Sequence, residues 1–379
     1  MVDGAAVVPG RPLLVQCTTS QLGRAAQATG GPGSGLVVTV ERQNEVATLT
    51  ATEYLLRVTG YPNPVLLDAA RYAGVGRLPA SAPFNARWVR RQRDLGLPVL
   101  TDSGYVGAGD EAGLRRILDG TARLGGDAIA CLPLHISWLR DRTARERLCA
   151  HVTSADVPVA VVLEHATDPY ALVGVVGGLL ALLACGVPVL VLRCDLSALG
   201  ALCVGAAAAA VGTQASLRHL YPAPQVPRQG GGRPGVPSAI VPACLAYRLV
   251  TAIAKAKRRH PDDVDWSCGC DTCAGRDLDW LAAEPGTVGE VRAFQHTVDV
   301  LLGLRSELIG GAGDLAESRQ SWAARCAAAA SRNEELGWFR PGMLARWPEA
   351  LTAAPSRPWA SGIRHRFGSP GAPAWDQPA

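Results

Sequence analysis

Aromatic residues make up only 5% of this 379-residue chain. A chain this long can bury a sizeable core, so that core must be built from Ala, Val and Leu rather than from rings. The N-terminus, Met1-Val-Asp-Gly, has no basic region and no continuous apolar run, which argues against a secretory signal and for a cytoplasmic protein. No G-x-G-x-x-G follows the first apolar run and no Walker A lysine motif occurs, so nucleotide-phosphate sheets lose ground. Acidic residues are scarce over a long stretch: between Pro169 and Pro261 the only carboxylate is Asp195. A net charge of +4 and a pI near 8.5 permit a nucleic-acid partner without demanding one.

One stretch has the length of a membrane span, because Ala171 to Leu192 carries no charge over twenty-two residues. Gly186-Val187-Pro188 divides it, however, into a helix from Ala171 to Cys185 and a β-branched run from Pro188 to Leu192. A buried helix leading into a parallel strand accounts for it, and no membrane association is expected.

What is present is a rhythm. Pro12 to Cys17 and Gly35 to Val40 read as strands joined by a Gly-rich turn. From residue 64, short apolar runs that begin at or near proline and end in polar residues alternate with helical segments. These runs are Pro64–Asp68, Pro98–Asp102, Ala128–Leu132, Pro158–Glu164 and Pro188–Arg193, at intervals of about thirty residues. Continuous apolar strands alternating with helices indicate a parallel sheet covered on both faces. The Ala-rich run Gly205–Gly212 reads as a further strand, and Ala239-Ile-Val-Pro with a helix from Ala243 to Lys257 is expected to complete the set. The predicted fold is α/β: a (β/α)8 TIM-like barrel with a C-terminal zinc-binding helical subdomain, a doubly wound sheet being the alternative. The expected division is N-terminal strands and lead over 1–60, the barrel over 61–260, the zinc-binding helical subdomain over 261–350 and a disordered tail over 351–379. Helices are expected at Val288–Leu308 and Leu315–Leu336, and a mobile loop at Pro222–Pro237.

The strongest chemical signal is Cys268-Gly-Cys270-Asp-Thr-Cys273, followed after twenty-two intervening residues by His296. Three thiols and an imidazole supply the four N/S ligands of a closed tetrahedral zinc site. The other eight cysteines are scattered singly through apolar segments, as small buried hydrophobes would be. Just before this cluster, Lys255, Lys257, Arg258 and Arg259 are either the solvated end of a helix or a phosphate-contacting patch.

In either parallel architecture the active site lies at the C-terminal strand ends. The polar residues there are Asp68 and Arg71, Asp102 with Ser103 and Tyr105, His135, Glu164 with His165, Arg193 with Asp195, and Ser216 with Arg218 and His219. Each alone is as well explained by capping or loop hydrogen bonds. Asp102 stands out in Leu100-Thr-Asp-Ser-Gly104, where serine can cap and glycine lets backbone approach a ligand. Displacement at a sugar carbon needs a second carboxylate, and Asp195 is the late-strand candidate by elimination.

An α/β barrel with Leu-Thr-Asp102-Ser-Gly104 early and Cys-x-Cys-x-x-Cys followed by a helical His296 late resembles the tRNA-guanine transglycosylase superfamily. The resemblance runs from Val65 to about Ile309. It implies a zinc-stapled (β/α)8 barrel that exchanges guanine in nucleic acid, tRNA or DNA, for a 7-deazaguanine. An aspartate would attack the ribose C1′ while a second, matching Asp102, handles the proton, and the zinc would be structural. The family's Asp-Ser-Gly-Gly-Phe-Gln reads Asp102-Ser-Gly-Tyr105-Val-Gly here, its Ala-Phe-Asp-Glu becomes Cys131-Leu-Pro133-Leu, and its Val-Gln-Gly-Gly becomes Leu163-Glu164-His165-Ala. The expected site therefore comprises Asp102 and Asp195 as catalytic groups, with Asp68, Ser103, Tyr105, Glu164, His165, Arg193, Arg218 and His219 around the substrate. A homodimer is compatible with this picture. Two other readings stay open: a noncatalytic zinc-containing nucleic-acid-binding paralogue, and a barrel enzyme acting on a small molecule.

Overall fold

The computed structural model describes residues 10–41, 44–223, 237–283, 286–310 and 314–353. Eight parallel strands form one sheet in the order β3-β2-β1-β8-β7-β6-β5-β4. They are β1 (Leu13–Thr18), β2 (Ser34–Thr39), β3 (Val65–Asp68), β4 (Val99–Leu100), β5 (Ala128–His135), β6 (Val159–Glu164), β7 (Val189–Cys194) and β8 (Ala208–Gly212). Because β1 lies between β2 and β8, the sheet curls into a nearly closed barrel whose seam falls between β3 and β4.

Strand periodicity builds the two cores. Leu14, Val37, Leu66, Leu100, Ile129, Ala160, Val162, Leu190, Ala208 and Ala210 pack together inside the barrel. Their neighbours one residue along, such as Val15, Leu67, Val161 and Val191, pack outward against the helices. The interior is aliphatic, as the shortage of rings requires. The large rings sit elsewhere: Trp322 and Trp347 press against Gly200, where a Cβ would lie 2.5–2.6 Å from the indoles.

The seam is handled by a side chain. Strand β4 pairs with β5 through Val99 and Leu100, and its other edge has no ladder. Buried Gln92 fills the gap, its Oε1 accepting from Leu100 N at 3.0 Å and its Nε2 donating to Leu100 O at 3.2 Å. An unpaired buried edge would otherwise leave backbone groups unsatisfied.

Two expected boundaries move. The segment 1–60 is not a lead, because β1 and β2 are barrel strands and β1 pairs on both sides. The connection between them is not a simple Gly-rich turn but carries a helix, α1 (Leu22–Ala28), which buries Leu22 and Ala25. At the other end, the barrel is complete at β8 without the 239–257 segment. There β9 (Ser238–Val241) and β10 (Ala246–Leu249) form a separate antiparallel hairpin. The helix expected from Ala243 accordingly begins only at Val250.

The remaining helices are α2 (Glu45–Arg57), α3 (Ala86–Asp94), α4 (Glu111–Leu124), α5 (Ser137–Arg140), α6 (Arg142–Ala155), α7 (Val175–Leu183) and α8 (Ser197–Cys203) around the barrel. The C-terminal region follows with α9 (Val250–Arg259), α10 (Gly286–Arg305), α11 (Leu315–Glu335) and α12 (Met343–Ala353). The uncharged 171–192 stretch resolves into α7 and β7, and among the described residues no helix is long and apolar enough to cross a membrane. Residues 351–353 of the expected tail belong to α12. The rest of the tail, from 354, and residues 224–236 of the expected loop lie outside the described residues.

Candidate functional site

Two polar centres stand out: a Cys3His cluster in the C-terminal region, and the C-terminal mouth of the barrel. In the cluster, Cys268, Cys270 and Cys273 come from the segment after α9, and His296 comes from α10. One ligand atom from each lies within 4.8 Å of all the others. The turn is tightened by Cys273 N and Ala274 N donating to Cys270 O, with Ala274 and Gly275 at φ of 51° and 83°. His296 Nδ1 lies 3.7, 3.5 and 3.3 Å from the sulfurs of Cys268, Cys270 and Cys273. For a tetrahedral ion bonded at about 2.3 Å to sulfur and about 2.0–2.1 Å to nitrogen, those edges are about 3.6 Å, so the donors fit such an ion.

The outer partners also fit. His296 Nε2 donates to Ile240 O at 2.8 Å, which leaves Nδ1 free to ligate. Trp280 Nε1 donates to Cys273 Sγ at 3.3 Å, and Asp299 receives Thr272 N and Oγ at 2.9 and 2.5 Å. The cluster thus ties the cysteine turn to α10 and to strand β9. Of the other cysteines, Cys17 and Cys203 are pushed by burial up to about 12 and Cys244 up to about 11, which keeps these three neutral thiols.

At the barrel mouth, the inward alternation continues past the aliphatic layer. Two residues beyond Leu14, Val37, Leu66, Leu100 and Val162 stand Gln16, Thr39, Asp68, Asp102 and Glu164. Asp68 is the most enclosed. Its Oδ2 accepts from Gln16 at 3.0 Å, Tyr72 at 2.8 Å, Thr39 at 3.3 Å and Arg193 Nε at 3.3 Å. Arg193 reaches inward because β7 bulges there: the register with β8 shifts between Val191 and Cys194, and Arg193 takes a φ of 46°. Its backbone N donates to Gln16 Oε1 at 2.7 Å. Asp68 and Arg193 were expected at the substrate; they form instead a saturated, buried ion pair.

Asp102 and Glu164 differ from Asp68 in being covered by one loop, residues 69–85 between β3 and α3. Arg71 from that loop pairs with Asp102, whose oxygens also accept from Asn85 N at 3.0 and 3.1 Å. Arg77 from the same loop pairs with Glu164, and Tyr105 donates to the other Glu164 oxygen. The Arg77 guanidinium stacks 3.6 Å above the Tyr105 ring. Both carboxylates are buried, whereas Arg71 and Arg77 keep 23% and 24% of their side-chain surface exposed. The loop is seated by Gly104, whose missing Cβ would stand 2.1 Å from Pro79 O. Gly104 therefore receives a loop, not a ligand as its sequence context suggested. Ser103 likewise points to Thr101, at 2.8 Å and fully buried, and does not face the mouth.

Asp195 keeps partners different from those of Asp102. It follows Cys194, which packs in the outer layer between barrel and helices, and its Oδ1 accepts from Leu196 N at 2.9 Å. Asp102 and Asp195 share no hydrogen-bond partner among the described residues. Asp195 belongs to a rim cluster with Asp168, Arg218 and Tyr247, where the Arg218 guanidinium lies 3.4 Å from the Tyr247 ring centroid. Burial raises the Asp195 carboxyl. Burial, and then the Asp195 charge, push Asp168 up to about 7. Nearby, His219 stacks on Tyr221 at 4.1 Å, and burial followed by His165 pushes it down to about 4, so it is neutral. His165 turns its Nδ1 to Thr167, and His135 its Nδ1 to Ser137.

Of the basic run, Lys257 is occupied by Asp277 at 2.7 Å and Pro261 O at 2.8 Å. Lys255, Arg258 and Arg259 are exposed. Gln16, Thr39, Tyr72, Arg77, Asn85, Asp168 and Tyr247 were not singled out from sequence. Inward phase on a strand would have flagged Gln16 and Thr39, and Asp168-Pro169 is a helix-cap signal. Nothing local marks Arg77 or Tyr247. Fold and geometry thus define an α/β barrel carrying a Cys3His cluster that could hold a metal ion and an arginine-covered carboxylate mouth. No protein-family model matches the chain, and no curated protein matches it.

Proposed function

We propose that this chain acts on an N-glycosidic bond in nucleic acid, exchanging or removing a purine base of the guanine or 7-deazaguanine type, in the manner of the tRNA-guanine transglycosylases it resembles. The observation that carries this reading is the pair Asp102 and Glu164, inward-facing at the ends of β4 and β6 and each paired with an arginine of one loop. Only β5 separates the two strands, so their backbones stand about 10 Å apart. Inward side chains at that spacing can flank a single sugar carbon, as two-carboxylate displacement requires. Asp102 takes the acid/base role that the resemblance gives it, and Glu164 replaces Asp195 as the second carboxylate. Asp68, saturated by its donors, holds Arg193 and the mouth in place.

The Cys3His centre is assigned to structural zinc, since three thiolates and an imidazole suit that ion and leave no open position for substrate. A cytoplasmic setting agrees with eleven cysteines and no disulfide. The test is incorporation of labelled guanine into tRNA and into duplex DNA. Asp102→Asn abolishes exchange by at least a hundredfold while metal content stays at the parent level; undiminished exchange in that variant removes Asp102 from the mechanism.

One observation favours a second reading, a noncatalytic nucleic-acid-binding paralogue. Strand β8 turns only Ala208, Ala210 and Gly212 inward, so the late strand brings no carboxylate to the mouth. Salt-sensitive binding without any C1′ chemistry in the parent chain selects this reading.

A further inference from the structure

Between the C-terminal end of α9 and the turn joining α11 to α12 lies a cleft of about 180 Å³, lined by Lys255, Arg259, His260, Leu336 and Trp338 among others. Its cations are unengaged. The acidic residues of the surrounding segments are mostly spoken for: Asp263, Asp265 and Glu335 by Arg332, Glu334 by Arg340, and Asp277 by Lys257. Among the described residues, no hydrogen bond or ion pair engages Lys255, Arg258 or Arg259. The α9 C-terminus explains the presence of cations in its last turn. It does not explain the aromatic wall opposite them.

That wall is held rigidly. Arg248 donates to Phe339 O and to Asn333 Oδ1, each at 2.6 Å, and lies 5.1 Å from the Trp338 ring. Trp338 in turn packs edge-on against buried Trp266 at 6.1 Å. The next residue, Phe339, is 84% exposed, in a chain with few rings to spend on its surface. The Trp338 ring lines the cleft with the unpaired cations, and exposed Phe339 follows it in the chain, which matches the two needs of an unstacked nucleotide, a flat platform and a phosphate counter-charge. The cleft is smaller than the roughly 300–1,000 Å³ of an enclosed small-molecule site, so it suits one base of a chain whose remainder stays in solvent.

The geometry points to this cleft as a site for single-stranded nucleic acid, with Trp338 and Phe339 stacking an unpaired base and Lys255 and Arg259 contacting its phosphates. This deepens the nucleic-acid reading above and rests on it only for the partner class. The site lies on the metal-bearing region and belongs to neither strand-end cluster.

The experiment is fluorescence anisotropy of a labelled single-stranded twelve-mer of DNA or RNA with the full chain, titrated at several salt concentrations. The double variant Lys255→Ala with Arg259→Ala lowers the slope of log affinity against log salt by about 1.4, as loss of two phosphate contacts on a single strand requires. Phe339→Ala, at a surface position that leaves folding untouched, weakens binding about tenfold at unchanged slope. A duplex of the same sequence shows no response to Phe339→Ala. Unaltered binding in both variants, or equal competition by polyglutamate, overturns the proposal. A chain that binds strands through this cleft yet exchanges no base refutes the catalytic reading alone. Base exchange with normal binding in these variants refutes the cleft alone.

Discussion

The Cys3His cluster and the barrel mouth are both buried polar centres, but they are assembled over very different distances along the chain. The cluster draws its four ligands from residues 268 to 296. The mouth joins Gln16 to Arg193 across 177 positions and Asp68 to Arg193 across 125. The first is a local device whose spacing alone discloses its chemistry. The second exists only because eight strands close on one another. Their charges differ as well: the cluster gathers donors that could hold an ion from outside, whereas the mouth pairs its carboxylates with arginines of its own.

The largest effect expected from breaking this contrast is at the cluster. Cys273→Ser, or removal of the ion by a chelator, destabilises the C-terminal region by several kcal/mol, because ion binding there is coupled to folding. Metal content by mass spectrometry and a separate low-temperature unfolding transition of that region are the readouts. An unchanged transition would mean that the thiols pack without an ion, as the eight scattered cysteines do.

At the mouth the expected effect is somewhat smaller. Arg193→Met leaves Asp68 buried without its cation and costs about 3–5 kcal/mol. Adding Asp68→Asn recovers much of that loss, since the unpaired charge is gone. Denaturant titration of the two variants measures both steps. A cost under about 1 kcal/mol for Arg193→Met would show that water reaches the pair and that this part of the mouth is open.

The smallest effect lies at the rim, where Asp168 and Asp195 share a site. The folded Asp168 carboxyl is raised to about 7 from an ordinary value of 3.8. The folded protein therefore binds the proton more tightly than the unfolded chain does. The stabilisation is full below about pH 4, falls as pH rises, and is lost above about pH 7. Asp168→Asn keeps the oxygen that accepts from Tyr170 N at 3.0 Å. It flattens the decline in melting temperature between pH 5 and pH 8, and it is more stable than the parent at pH 8. An equally steep decline in the variant would assign the dependence to the groups around it, Asp195, Arg218 and Tyr247.

Much of the barrel was legible. All eight apolar runs fall on strands, including Gly205–Gly212, where alanine propensity alone favours helix and burial within the barrel decides for strand. The first two strands were recognised but placed outside the barrel, because α1 is a single short helix of small residues with no strong periodic signal. The 239–257 segment was expected in the barrel because its composition resembles the other units; only strand count shows that no vacancy remained. In the site, the inward carboxylates were named, as were Arg71, Tyr105 and Arg193, but which of them would pair was not, and Arg77 was missed. Arg71 and Arg77 reach Asp102 and Glu164 across 31 and 87 positions, and no local pattern records that reach.

By itself the sequence determined the parallel α/β class, the positions of the strands and the four residues of the Cys3His cluster, because hydrophobic period and ligand spacing are properties of neighbours along the chain. Only the tertiary structure decided which strand-end charges meet. Asp195 is a strand-end carboxylate like Asp102, yet it gathers with Asp168, Arg218 and Tyr247, while the bulge in β7 sends Arg193 into the barrel against Asp68. A shift of one residue in the pleat reverses the side of the sheet that a side chain faces, and that shift is set by strand pairing, not by the residues themselves.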